Sequence, residues 1–199
     1  MRPRPTLAMA LGVVATALTA GCGGSTSTTL GGDPGLDLLR QDQLPSPDFT
    51  VYQAMAPAGT DWLDPDSAAA ITGDGSVTAA QVEYYRPIGF DTSNGPITLT
   101  AAAARFSASH GAAAALAAID AALDSRPSAI QLTTGRLGDG GHAVGVGGTV
   151  DGVQAIEIVV VWRVDNLIDS LVAEGRLGGL QLGQLLPLAA TQTADEAGG

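Results

Sequence analysis

The residue best suited to covalent chemistry in this 199-residue chain is Cys22, which is its single cysteine. Arg2 and Arg4 precede an uncharged stretch over residues 5–21, and small residues stand directly before the cysteine. A positive start, an apolar segment of about 7–15 residues and small residues at the cleavage point are typical of a secretory signal. The pattern therefore predicts export, with cleavage close to Cys22.

The position of the cysteine favours one kind of signal, in which the chain is cut before Cys22 and the sulfur is acylated. Two or more acyl chains hold a protein stably on a bilayer, where a single chain does not. Such signals usually have Leu, Val or Ile three positions before the cysteine, and here Thr19 stands there, with Leu18 before it. We predict lipidation of Cys22 and a lipid anchor on the extracytoplasmic face of the cell membrane. A plain cleaved signal and an uncleaved anchor are the alternatives.

The composition indicates that the rest of the chain forms an acidic domain without intramolecular disulfides. Asp and Glu together number 20 against 9 basic residues, none of them lysine, and the formal net charge is −11. Because such a surface repels a phosphate backbone, we expect no nucleic-acid partner. A single cysteine excludes an intramolecular disulfide and a cysteine-based metal site. The fold must therefore depend on packing, which a domain of this length can supply.

The order of segments predicts three parts. Residues 1–21 form the signal peptide, and residues 22–36 hold the lipidated cysteine and a flexible linker rich in Gly, Ser and Thr. Residues 37–196 form a single α+β domain, with a mostly antiparallel sheet and helices packed on it. Its clearest helix is predicted over residues 109–125, where apolar residues recur at helical spacing among alanines.

The strongest strand is predicted over residues 154–164, whose two faces are both apolar, as expected of a central strand covered on both sides. Asp165 and Asn166 fit a two-residue turn into a returning strand over residues 167–174. The elements form two rounds of strands, each followed by a helix, which suggests a degenerate internal duplication. The other predicted elements are short helices within residues 36–44 and 65–72, a final helix over 180–194, and strands over 49–52, 77–86, 97–106, 129–134 and 142–150.

The polar residues that suggest catalysis do not have catalytic spacing. Ser107, Ser109 and His110 stand together at a predicted helix start, but no nucleophile-elbow sequence surrounds them. We interpret the serines as helix caps and the histidine as exposed. His110 and His142 lie too far apart in sequence to form a His-x-x-x-His metal pair. We therefore predict no catalytic residues.

Two further segments could hold an ion or a phosphate. The aspartates within residues 61–74 fail the glycine and glutamate spacing of a calcium loop, so we interpret Asp64 as a helix cap, with an irregular weak calcium site as the alternative. Residues 138–143 match Gly-x-Gly-x-x-Ala, but a strand is predicted after them instead of the helix that would bind a pyrophosphate. We expect a glycine-rich hairpin connection there, with no metal and no cofactor.

Charged and aromatic side chains raise two more possibilities. Glu157 lies on the most apolar strand, and we predict an ion pair with Arg105 or Arg136 across strands. Trp62 and the segment Tyr84–Arg86 place large aromatic rings beside an arginine, a combination common at recognition surfaces. These rings close one end of the core or form a binding surface.

Four short motifs stand along residues 38–190: Leu38-Leu39 with Leu44-Pro45, Phe106-Ser107 with Ala112 and Leu116, Leu137-Gly138-Asp139, and Arg163 with Asn166 and Ile168. They resemble those of uncharacterised envelope lipoprotein domains of GC-rich bacteria, which have a PsbP-like architecture. That resemblance implies an antiparallel sheet between helices and a location in the envelope, and it implies no reaction. One position departs from the usual pattern, because Asp165 stands where glycine is common before the asparagine.

Three functions are compatible with these features. The first is a non-enzymatic binding module, anchored in the membrane, whose partner is an envelope protein or a small molecule. The second is a carrier of an apolar ligand enclosed between sheet and helices, where runs of alanine leave space. The third is an enzyme of unidentified type, for which we find no motif.

Overall fold

The computed structural model describes residues 30–36, 38–55 and 76–197. Several sequence predictions lie outside the described residues: the signal peptide, Cys22 and most of its linker, Trp62, the helix over residues 65–72 and the aspartates within 61–74. Neither helix in the described part of the chain is long and apolar enough to cross a membrane.

The described strands form one sheet, and every pair of neighbouring strands is antiparallel. The strands are β1 (Thr50–Met55), β2 (Ser76–Tyr85), β3 (Thr98–Phe106), β4 (Ala129–Leu132), β5 (Gly140–Val150), β6 (Val153–Val164) and β7 (Leu167–Arg176). Their order across the sheet is β1-β2-β3-β7-β6-β5-β4, so β3 and β7, the last strands of the two rounds, pair at the centre. This arrangement confirms the predicted α+β class.

Two helices pack on opposite faces of this sheet. Helix α1 (Ser109–Asp124) buries Ile119 and Leu123 against the face that carries Val159. Helix α2 (Leu182–Ala197) buries its apolar residues against the other face, which carries Val160. A two-fold axis that exchanged β3 and β7 would place both helices on one face. The structure therefore does not support the suggested internal duplication.

The central strands supply most of the core. Val159, Val160 and Val161 of β6 are all buried, although they alternate between the two faces, which confirms the predicted double coverage. Four consecutive alanines of β3 are at most 1% exposed, and their small side chains let both layers approach the sheet closely. Trp162 is the largest fully buried side chain and lies on the α2 face.

The two ends of the sheet differ in what they carry. At one end, which we call the near end, the turn between β6 and β7 lies beside the start of α1, and Asp165 adopts a positive φ of 52° as a tight turn requires. The same end holds Gly138, whose backbone packs against that of Arg163. The far end holds the β5–β6 turn at Asp151 and the last residues of β7.

Two local predictions are wrong. The leucine-rich segment within residues 36–44 forms two short 3-10 turns, Pro34–Leu36 and Gln41–Gln43, instead of a helix. Leu39 between them is 1% exposed, so the segment lies along the sheet and buries this side chain. Helix α1 is capped at Ala108 without a side-chain hydrogen bond, so neither predicted serine caps it.

Candidate functional site

An open groove lies between the N-terminal segment and strands β1 and β2. Its volume of about 570 Å³ lies within the range of small-molecule sites. Arg40, Gln41 and Asp33 supply polar groups along the N-terminal wall. The apolar side chains that line it are Leu38, Leu39, Ala54, Ala80, Val82 and Tyr84.

Tyr84 ties the two walls of this groove together. Its hydroxyl donates a hydrogen bond of 2.6 Å to the carbonyl oxygen of Leu39, and the ring is 3% exposed. Burial raises the pKa of the Tyr84 hydroxyl, the carboxylate of Asp42 raises it further, and the guanidinium of Arg40 opposes the rise. The hydroxyl therefore stays protonated and donates at any physiological pH.

The aromatic pair predicted from the sequence is divided between core and surface. Tyr84 belongs to the core, whereas Tyr85, on the opposite face of β2, is 41% exposed. Arg86 stacks over the ring of Phe49 at 5.6 Å from its centroid, which is close enough for a cation–π contact. Tyr52 of the neighbouring strand is 71% exposed, so aromatic surface does occur beside the groove.

A second, smaller cavity of about 220 Å³ lies at the far end, where it is lined by Glu157 and Glu174. These two carboxylates stand directly opposite each other on β6 and β7. The predicted partner of Glu157 is wrong, because Arg126, which follows helix α1, binds it at 2.8 Å. Arg105 lies on the opposite face of the sheet, and Arg136 precedes β5 at the near end.

This arrangement disfavours the charged form of Glu174. Burial raises the pKa of its carboxyl, and the carboxylates of Glu157 and Glu83 raise it further. Like charges directly opposite each other on neighbouring strands destabilise a sheet. Because the folded state holds this proton more tightly than the unfolded state, stability falls as pH rises from the ordinary value of 4.5 through the raised pKa.

The substitution Glu174→Gln is therefore expected to stabilise the domain at pH 7 by about 0.5 kcal/mol. At about pH 3, well below the ordinary pKa of 4.5, the wild-type carboxyl is protonated in both states and the gain should vanish. Urea unfolding at the two pH values measures this difference. Glu157→Gln is the control and should give no gain, since it removes the ion pair with Arg126. An equal gain from Glu174→Gln at both pH values would contradict an electrostatic origin.

A third polar cluster, which the sequence analysis missed, joins helix α1 to strands β4 and β5. His142 lies 2.8 Å from one carboxylate oxygen of Asp124, and Gln131 donates to the other at 3.0 Å. Burial raises the pKa of Asp120 one turn earlier, where His142 opposes the rise and Asp124 adds to it. The sequence feature that could have indicated this cluster is the i, i+4 spacing of Asp120 and Asp124, which places both on one face of the helix.

The remaining predicted residues do not meet in a catalytic arrangement. Ser109 donates a hydrogen bond to a carboxylate oxygen of Asp165, and His110 is exposed at the start of α1. Residues 138–143 run from the β4–β5 connection into β5, as expected of a hairpin. Within residues 30–36, 38–55 and 76–197, no group of three or more His, Cys, Asp or Glu side chains is arranged to hold a metal ion.

Similarity to known proteins is found at the level of the fold and not of the sequence. No protein-family model matches it, and no curated protein matches its sequence. Among solved structures, it is similar to the extracellular domain of PknH from Mycobacterium tuberculosis. The TM-score is 0.53 and the identity is 10%, over 82% of this chain and 94% of that domain. At this identity the likeness concerns the fold alone.

Proposed function

We propose that this protein is a lipid-anchored, extracytoplasmic binding module without catalytic activity, and that the groove beside Tyr84 is its binding site. The observation that carries the binding role is the groove itself, which combines an apolar floor with polar groups on one wall. The likeness to an extracellular domain supports a location outside the cytoplasm. The pattern around Cys22 supports the lipid anchor.

The envelope lipoprotein resemblance agrees with this proposal. An antiparallel sheet with a helix on each face is the arrangement that a PsbP-like architecture implies, and the motif residue Asn166 is buried at a structural position. The partner is an envelope protein or a small molecule. A carrier of an apolar ligand is the second candidate, and the apolar floor formed by Leu38, Ala80 and Val82 favours it.

The lipid anchor is tested by Cys22→Ser in the producing bacterium. Because serine has no sulfur to acylate, we expect the variant to leave the detergent phase in Triton X-114 partitioning or to stay uncleaved. Intact-mass measurement of the wild-type protein should show loss of residues 1–21 and the added mass of acyl chains. An unchanged mass and an unchanged membrane fraction in the variant would refute the anchor.

The groove is tested by a bulky substitution at Ala54, which is exposed and faces the groove from β1. With a fluorescent long-chain fatty acid as the probe, we expect Ala54→Trp to weaken binding at least about tenfold, equivalent to 1.4 kcal/mol. Gln53→Trp is the matched control, because Gln53 is exposed on the opposite face of the same strand. Equal probe binding by both variants would exclude the groove as the site.

The nature of the partner is decided by what the native protein carries. Native mass spectrometry of the protein purified from membranes should show a bound lipid if the domain is a carrier. A stoichiometric protein that is lost in Ala54→Trp and kept in Gln53→Trp would instead identify an adaptor.

A further inference from the structure

Asn166 fastens the first described residue of the chain to the near end of the sheet. Its side-chain oxygen accepts a hydrogen bond of 2.9 Å from the backbone nitrogen of Leu30, and its side-chain nitrogen donates to the Leu30 oxygen at 3.3 Å. The same nitrogen donates to the carbonyl oxygen of Phe106 at 2.8 Å. Asn166 is 2% exposed and its two bonds to Leu30 are partly buried, so water competes with them less than at the surface and they hold Leu30 in place.

The position of this attachment limits how far the near end can be from residue 22. Eight peptide units join Cys22 to Leu30, and a chain of that length spans at most about 28 Å in any conformation. Strand β6 alone has 12 residues, which corresponds to about 40 Å between the two ends of the sheet. An anchor at Cys22 therefore holds the near end close to the bilayer on a tether shorter than the domain.

Charges at the near end argue against insertion into the lipid. The exposed carboxylate of Asp139 lies there, where it accepts a hydrogen bond from the backbone of Asp165. The guanidinium of Arg163 lies 3.5 Å from this carboxylate, so the two charges are paired, and both are costly to bury in hydrocarbon. This end is suited to lie over the headgroups without entering them.

We propose that the near end of the sheet, with the β6–β7 turn, faces the membrane surface, and that the far end, with the cavity between Glu157 and Glu174, faces away from it. This orientation rests on the proposed lipid anchor, and the side chain that sets it is Asn166. Partners that approach from outside the membrane meet the far end and the sides of the sheet. The groove beside Tyr84 opens on one of those sides.

The experiment compares two single-cysteine labels on the acylated full chain in liposomes whose headgroups carry an energy-transfer acceptor. Thr133→Cys places the donor after β4 at the near end, and Thr149→Cys places it at the far end of β5. Both positions are exposed. They lie about seven residues, or roughly 23 Å, apart along the strand direction. We expect roughly twofold more transfer from Thr133→Cys, because transfer falls steeply with distance.

Two further variants test the cause of the orientation. Asn166→Asp keeps the acceptor for Leu30 and loses both donated hydrogen bonds, so the difference between the labels should shrink. Inserting 16 Gly and Ser residues directly after Cys22 leaves the domain intact and should shrink it further. Circular dichroism checks that each variant is folded.

The possible outcomes distinguish a failure of the proposed orientation from a failure of the proposed lipid anchor. Suppose that the protein floats with the liposomes, but the two labels give equal transfer or Thr149→Cys gives more. The proposed orientation is then wrong, while the lipid anchor remains supported. If the acylated preparation does not float, the anchor fails and the orientation fails with it.

Discussion

Gly138→Ala is expected to destabilise the domain by roughly 3 kcal/mol. Gly138 has a positive φ of 52°, which strains any residue with a side chain. An added Cβ would also lie 2.3 Å from the backbone oxygen of Arg163 and 3.3 Å from the ring of Trp162. The first neighbour belongs to the backbone of a central strand, so it cannot move aside without breaking the ladder between β5 and β6.

Gly147→Ala is the matched control for this substitution. Gly147 lies in β5, further along the chain than Gly138, and is paired with the same strand β6, and an added Cβ there meets no atom within 4 Å. Alanine restricts the unfolded chain more than glycine does, so this variant should be neutral or more stable by up to about 1 kcal/mol. Guanidinium unfolding of both variants measures the difference. Equal stabilities would show that the close approach at Gly138 is relieved by a small shift.

Trp162→Ala is expected to cost about 4 kcal/mol, because it empties the space of the largest buried side chain. A domain of this size has a total stability of roughly 5–15 kcal/mol, so the variant should lose a large part of its stability and unfold at a clearly lower temperature than the wild type. The cavity would open between the sheet and helix α2, where Leu185 and Leu188 cannot fill it without moving the helix.

Trp162→Phe should cost far less, about 1 kcal/mol. The indole Nε1 is buried and makes no hydrogen bond within the described residues, so the wild type already bears the desolvation of that donor. Phenylalanine removes the donor together with part of the ring. Thermal unfolding of both variants checks the order of stabilities. A loss for Trp162→Phe as large as that for Trp162→Ala would mean that Nε1 has a partner, such as a buried water.

The sequence predicted the strands well because their patterns are strong. The double apolar face of residues 154–164 predicted a central strand, and β6 is buried on both faces. The alanine-rich segment before Pro127 predicted helix α1 within one residue of its observed end. The turn at Asp165 and Asn166 was also predicted, and Asp165 adopts the positive φ that aspartate tolerates.

Side-chain partners were harder to predict because they depend on which elements become neighbours. Arg126 reaches Glu157 from the end of a helix, whereas the predicted partners lie on the other face or at the other end of the sheet. Leu38 and Leu39 suggested a helix by their spacing, but contacts with β2 outweigh local propensity and hold them in a segment that forms only short 3-10 turns. The groove was not predicted for the same reason, since its two walls are distant in sequence.

The attachment of Leu30 to Asn166 also sets an order of events during biogenesis. The two residues are 136 positions apart, so a chain that emerges N-terminus first displays Leu30 long before its acceptor site exists. Closing so long a loop requires the β6–β7 hairpin to be formed beforehand. The peptidase and acyltransferase that we expect at Cys22 therefore meet an unattached substrate, and docking of the N-terminal segment becomes a late step of maturation.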